Sequence, residues 1–249
     1  MDGPVSDPTL FDRRAEIYAR ARPPYPAAMY ARLRSLDVLR AEARVLELGA
    51  GTGQATEAFV AAGAIVTAVE PGPTLANRLV ERFPSITVVA ETAEAVALDG
   101  DAYDVVISAT AFHWLDLDIV LPAIHRALVP SGTLAVWWTV FGDPDVDTPF
   151  RRRVTAIVDQ RQAPNVRSHG PLDTESWLGS LTAGGHFTAA HTEQIRWQID
   201  LNALQIRDLF STFSGWSEQE VGAVRHAVVD LGGTVTEHYV TALYVLHAT

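Results

Sequence analysis

The chain has 249 residues, 48% of them hydrophobic and 20% charged, which suits one large or two small globular domains with a sizeable core. Its 30 acidic and 19 basic residues give a formal charge of -11, a field that opposes a polyanion, so a small-molecule partner is expected and nucleic acid is not. Cysteine and lysine are both absent, which excludes disulfides, thiolate nucleophiles, Cys-ligated zinc, iron–sulfur clusters, Schiff-base chemistry and a phosphate-loop lysine.

The N-terminal stretch MDGPVSDPTLFD has neither the basic start nor the apolar run of a signal peptide. No window approaches about 18 uninterrupted apolar residues, so no membrane contact is expected and the cytoplasm is the expected location. Residues 9–40 read as helical except at Arg22–Pro26 (RPPYP), which must be extended or turned. Strand and helix signals then alternate. Short β-branched apolar runs occur at Arg44–Leu48, Ala64–Val69, Ile86–Val89, Tyr103–Ser108 and Thr133–Val140, as expected of parallel strands buried on both faces. Helical segments at Gln54–Ala62, Pro73–Phe83 and Asp116–Leu128 separate them. Pro73 suits a first turn, Asp116 and Asp118 suit a helix start, and Pro130-Ser131-Gly132 closes the third helix. Repeated strand–helix–strand units predict a doubly wound α/β sheet.

Downstream the alternation loosens. Gly142–Pro149 reads as a turn region, Phe150–Gln162 as a helix and Ala163–Leu172 as a loop. A helix near Thr174–Ala183, a strand around Phe187–Trp197, helices near 201–212 and 217–231 and a final strand at Val235–Leu246 complete the expectation.

The chemistry centres on VLELGAGTGQ, Val45–Gln54. A dinucleotide fingerprint starting at Gly49 needs glycine at position 54, which is Gln54; the third glycine is Gly53 instead. Glu47 precedes the loop, and Glu70 ends the second apolar strand, followed by Pro71-Gly72-Pro73. A carboxylate there can accept hydrogen bonds from two vicinal ribose hydroxyls, which serves any adenosine cofactor. The residues by themselves leave open a nicotinamide cofactor, another adenosine cofactor, or a tight turn with no ligand.

The pattern resembles the class I S-adenosylmethionine-dependent methyltransferases. VLELGAGTG is similar to that family's first motif and AVEPGP to its second; VVAETAEAV, SATAFHWLD and LVPSGTLAV resemble three later ones in the same order. The resemblance covers about residues 10–140, with weaker similarity in YVTALYVL, and its Phe-His-Trp tripeptide is similar to that of trans-aconitate-type carboxyl methyltransferases. It implies a Rossmann-like, mostly parallel seven-stranded sheet with helices on both faces and an antiparallel last strand. As one domain over 1–249, it would comprise a helical cap (1–40), a cofactor-binding core (41–142), a substrate-side insertion (143–185) and a C-terminal part completing the sheet (186–249).

The resemblance further implies S-adenosylmethionine as cofactor. Gly49, Ala50 and Gly51 would let the backbone approach its methionine part, above Glu47. Glu70 and Pro71 would meet the ribose, Thr92, Ala93 and Glu94 the adenine, and Ala109 and Phe112 the amino-acid end. The family often has Asp where this chain has Thr92. Tyr18 and Arg22 would fold over the cofactor, Arg22 toward the methionine carboxylate. His113 is the candidate base for an acceptor that must lose a proton, against a structural role beside Trp114. Arg151–Arg153 reads as a solvated helix face, and Trp137, Trp138, Trp177 and Trp216 as core. His169, His186 and His191 lack metal-ligand spacing, so no metal is expected. Region 143–215 is expected to form the acceptor pocket. A cofactor-binding protein without transferase activity and an NAD-dependent oxidoreductase are the alternatives.

Overall fold

The computed structural model describes residues 17, 20–161, 170, 172–213 and 215–249. The apolar runs become strands β1 (Arg44–Leu48), β2 (Ile65–Val69), β3 (Thr87–Val89), β4 (Tyr103–Ala109) and β5 (Leu128–Phe141). With β6 (Phe187–Asn202) and β7 (Thr234–Ala248) they form one seven-stranded sheet in the order β3-β2-β1-β4-β5-β7-β6. Pairs β3–β2, β2–β1, β1–β4 and β4–β5 are parallel and the last strand is antiparallel. The doubly wound expectation holds in full.

The chain divides into two units. The larger comprises Pro24–Thr139, His169–Ile195 and Thr241–Thr249. Successive strand residues point to opposite faces, so one apolar run serves two core layers. Leu46, Leu48, Val106, Leu134, Val136 and Tyr244 enter a cluster with Val120, Leu121 and Ile124 of helix α4 (Leu117–Ala127). Val45, Val105, Ile107, Ala135, Trp137 and Leu243 enter a second, with Met29 and Leu33 of α1 (Ala27–Ser35) and Phe59 of α2 (Thr56–Ala61). Helix α3 (Pro73–Arg82) starts with its proline at the first turn, where no N–H is needed. Asp116 caps α4, its side chain accepting from the Asp118 amide at 3.1 Å. Helix α6 (Thr174–Thr182) is likewise capped by Asp173.

The smaller unit comprises Met1–Pro23, Val140–Ser168 and Arg196–Val240. Helices α5 (Pro149–Val158), α7 (Ala203–Phe210) and α8 (Glu218–Asp230) enclose a core of Phe150, Val154, Ile206, Leu209, Phe210, Val224 and Tyr239. Asn202 with Gln205 and Ser217 with Glu220 form capping boxes at the starts of α7 and α8.

Some element bounds differ from expectation. Helix α1 ends at Ser35 instead of running to 40, because the chain turns left-handed at Asp37 (φ 58°). Strand β6 continues past Trp197, since Ile195, Trp197, Ile199 and Leu201 alternate with exposed Arg196, Gln198 and Asp200. The Asn202 cap then starts the helix later than 201. The Pro130–Gly132 turn is a looped excursion inside β5: Leu128 pairs with Tyr103 and Thr133 with Val105. The stretch read as a loop at 163–172 falls largely outside the described residues. Trp137 and Trp138 are buried core of the larger unit, Trp177 packs against the cluster that holds Trp138, and Trp216 packs against the core of the smaller unit. Among the described residues no helix is long and apolar enough to cross a membrane.

Arg151 corrects the reading of its helix as a solvated face. Arg152 and Arg153 do face solvent, but Arg151 forms a two-pronged pair with fully buried Glu237. Burial pushes the Glu237 carboxyl above the usual carboxylate range even though Arg151 pulls it down, so desolvation outweighs attraction. We expect Glu237→Ala, which strands the Arg151 cation, to lose about 3 kcal/mol of stability in urea unfolding. The apolar pair Arg151→Met/Glu237→Leu should return to within about 1 kcal/mol of the wild type.

Candidate functional site

The chain runs outward from β1 through β2 to β3 and then resumes at β4, on the other side of β1. Such a reversal opens a crevice beyond the carboxyl ends of the two strands, where α/β sheets take their ligands. Its two walls are the loop after β1, Gly49–Gly53, and the corner after β4, Thr110–Trp114.

Three glycines give the first wall its shape, and they are not equivalent. Gly49, Gly51 and Gly53 all have left-handed backbone, with φ of 72°, 58° and 81°. A Cβ on Gly49 would lie 2.5 Å from the Ala111 Cβ, and one on Gly53 would lie 2.4 Å from the Phe83 ring. A Cβ on Gly51 would meet nothing within 4 Å. Gly49 and Gly53 therefore serve packing, whereas Gly51 faces open space.

Glu70 ties the loop to the next element. It is buried, and its two carboxylate oxygens accept from the Gly51 amide at 2.8 Å and the Gly72 amide at 2.9 Å. Each carboxylate oxygen has two lone pairs, an acceptor capacity of the kind that vicinal hydroxyls require. Pro71, between these contacts, is exposed. Gly49 and Ala50 donate to the Val69 carbonyl at 2.8 and 3.2 Å, holding the loop against the end of β2.

Glu47 lies beneath the loop on the face that also carries Val45. It is fully buried and accepts from the Thr56 hydroxyl at 2.6 Å, joining β1 to the first turn of α2. Burial pushes its carboxyl up to about 7; the Thr56 bond opposes the shift and the Glu70 charge adds to it.

The second wall has its own supports. The Ser108 hydroxyl donates to the Leu48 carbonyl at 2.9 Å, fixing β4 to β1. Thr110 has left-handed backbone, φ 62°, a conformation that costs a non-glycine residue about 1–3 kcal/mol. Phe112 is fully buried in the core shared with α4, while His113 is exposed, its ring 4.6 Å from that of Trp114. After β3, Ala93 enters the same core, and Thr92 is exposed. The Glu94 carboxylate accepts from the Asp116 amide at 3.1 Å, connecting that segment to the start of α4.

The structure thus gathers Glu47, Gly49, Ala50, Gly51 and Glu70 through one set of contacts, with Ala109 at the end of the neighbouring strand. Arg22 belongs to the smaller unit. There its guanidinium lies 4.8 Å from the Phe141 ring and 4.6 Å from that of Phe213, and donates to the Thr212 carbonyl at 3.4 Å. Tyr18 lies outside the described residues. Among those that are described, no cluster of His, Asp or Glu could hold a metal ion. Sequence reasoning missed Thr56, Tyr25 and Thr110. RPPYP was readable only as extended chain, and β-branched Thr110 gives no signal for a left-handed corner.

The sequence profile of a family described as a methyltransferase domain matches residues 46–136. An uncharacterized methyltransferase of Mycobacterium tuberculosis is 38% identical over 206 residues, covering 82% of this chain and 76% of that protein. A malonyl-[acyl-carrier protein] O-methyltransferase of Bacillus cytotoxicus is 32% identical over 131 residues, covering 51% of this chain and 44% of its own length. The solved structure of a candidate type II methyltransferase from Anaeromyxobacter dehalogenans superposes with a TM-score of 0.62 at 24% identity, over 90% of this chain and 97% of the other.

Two outcomes follow from the loop. Gly49→Ala and Gly53→Ala should each lower stability by about 2 kcal/mol in urea unfolding, adding steric collision to backbone strain. Gly51→Ala should lose only about 1 kcal/mol, since its Cβ meets open space. Glu47 sets a pH dependence. Its folded pKa exceeds the unfolded value of 4.5, so its contribution to stability is full below 4.5 and is lost as pH rises through about 7. Thermal unfolding from pH 4 to 8 should show this loss in the wild type, reduced in Glu47→Gln.

Proposed function

The chain belongs to the class I S-adenosylmethionine-dependent methyltransferase family, and from that premise we propose that it moves a methyl group from S-adenosylmethionine to a small-molecule oxygen, nitrogen or carboxylate acceptor. The observation that carries the reading is the open space over Gly51 beside a buried carboxylate, at the point where the sheet order reverses. A cofactor with an adenosine and a cationic amino-acid end fits that combination: bare backbone for close approach, and acceptor oxygens for its hydroxyls and ammonium.

In this reading Gly49, Ala50 and Gly51 line the amino-acid end. Glu70 accepts from the ribose hydroxyls while it holds the Gly51 and Gly72 amides. Thr92, Ala93 and Glu94 border the adenine, with Pro71 on the path between, and Ala109 and Phe112 shape the β4 side. The bound cofactor supplies an electrophilic methyl group on a sulfonium leaving group. What the protein contributes is alignment of an acceptor lone pair in line with that bond, and exclusion of water. His113 takes a proton where the acceptor carries one, which its exposure next to the crevice permits. A carboxylate acceptor needs no base.

The net charge of -11 favours a small-molecule substrate over nucleic acid. The malonyl-[acyl-carrier protein] O-methyltransferase among the relatives supports an oxygen acceptor on an acidic group.

Titration calorimetry with S-adenosylhomocysteine should give a saturable isotherm for the wild type. Glu70→Gln, which loses the charge and turns an NH2 donor against one of the two backbone amides, should bind about 10–100-fold more weakly and lower the unfolding midpoint by about 2–8 °C. A wild type silent at millimolar ligand removes the proposal.

A further inference from the structure

The corner after β4 is strained in a way that the cofactor contacts do not explain. Among the described residues, five other than glycine have left-handed backbone: Asp37, Glu42, Asp101, Thr110 and Ser131. Four of them are exposed turn residues, whereas Thr110 is half-buried at the crevice and is the one β-branched member. A branched Cβ makes that conformation more costly, so surrounding contacts must hold it.

Three contacts do so. The Thr110 amide donates to the Trp137 carbonyl at 2.7 Å. The Thr110 hydroxyl shares a hydrogen bond of 2.7 Å with the Tyr25 hydroxyl. The next residue, Ala111, abuts Gly49 so closely that no Cβ would fit there. Tyr25 is itself keyed to the same neighbour, its ring lying edge-on to Trp137 at 5.9 Å. Glycine or asparagine would occupy this backbone at lower cost, but neither offers a hydroxyl to Tyr25.

We propose that Tyr25 and Thr110 are positioning residues: their shared hydroxyl hydrogen bond holds the left-handed corner that sets the Phe112–His113–Trp114 turn against the Gly49–Gly51 loop. This rests on the methyl-transfer reading of the crevice. Tyr25 acts through Thr110, and Thr110 through the backbone it orients.

The test uses the full-length chain with two measurements, S-adenosylhomocysteine affinity by calorimetry and the thermal unfolding midpoint. Tyr25→Phe and Thr110→Val should each weaken binding by about fivefold, the loss of one part-buried hydrogen bond. Thr110→Ser, which keeps the hydroxyl, should bind within about twofold of the wild type. Thr110→Gly should unfold at least about 2 °C above Thr110→Val, because it relieves the strain, and yet bind no better. That decoupling is what a role confined to stability does not produce. Wild-type affinity in Tyr25→Phe and Thr110→Val, or affinity that follows the unfolding midpoint across the series, overturns the proposal. If the wild type itself does not bind, the methyl-transfer reading falls and this one with it; variants unchanged beside a binding wild type remove this one alone.

Discussion

The crevice depends on how closely two backbones approach at the carboxyl ends of β1 and β4. Gly49 and Ala111 meet with no room for one more carbon atom, and that contact sets the separation of the two walls. The rest follows. The loop must leave β1 in left-handed backbone, so it needs glycine at 49, 51 and 53. Gly53 must clear Phe83 and Leu79 for the chain to enter α2. With its neighbours fixed by packing, Gly51 is left facing open space, its amide held by Glu70. What remains after the packing demands of the loop have been met is the open side of Gly51.

The sheet was readable because parallel strands buried on both faces announce themselves as short apolar runs, and the one from Arg44 to Leu48 matches its strand residue for residue. The glycine loop was readable for a related reason, since backbone that must be left-handed leaves glycine in the sequence. Where geometry is held by tertiary contacts, sequence is silent. Thr110 adopts a backbone that its own type disfavours, because Trp137 and Tyr25 impose it. Arg151 sits in a run of three arginines that reads as a polar helix face, yet the fold turns this one toward buried Glu237 and leaves its two neighbours in solvent. The end of β6 was missed differently: its strict alternation to Leu201 lay in the sequence, beside the equally local helix signal of the Asn202 capping box.

Two buried carboxylates beneath and beside one loop are an unusual expense in a chain that is already acidic. Glu70 accepts charge-assisted hydrogen bonds from two backbone amides, which stabilise its carboxylate in a buried position. Glu47 accepts only from the Thr56 hydroxyl and amide among the contacts that act on its charge, burial outweighs them, and its carboxyl is raised. The Glu70 charge contributes to that rise, so the two groups are electrostatically linked. A cationic ligand end near the loop would draw Glu47 toward its ionised form. An anionic one would do the opposite.

Methyl transfer from a sulfonium makes small demands on acid–base chemistry and large ones on alignment, because the reacting centres must lie in line at near contact. A site built for it should spend free energy on rigid geometry before it spends any on shifted histidines. The crevice fits that order. His113 is exposed, whereas the corner two residues before Phe112 is held in costly backbone by contacts from two other segments. Strain of this kind persists only where relaxing it would lose something else. Here relaxation would let Ala111 move away from Gly49 and widen the gap that the loop, Glu70 and the open space over Gly51 together define.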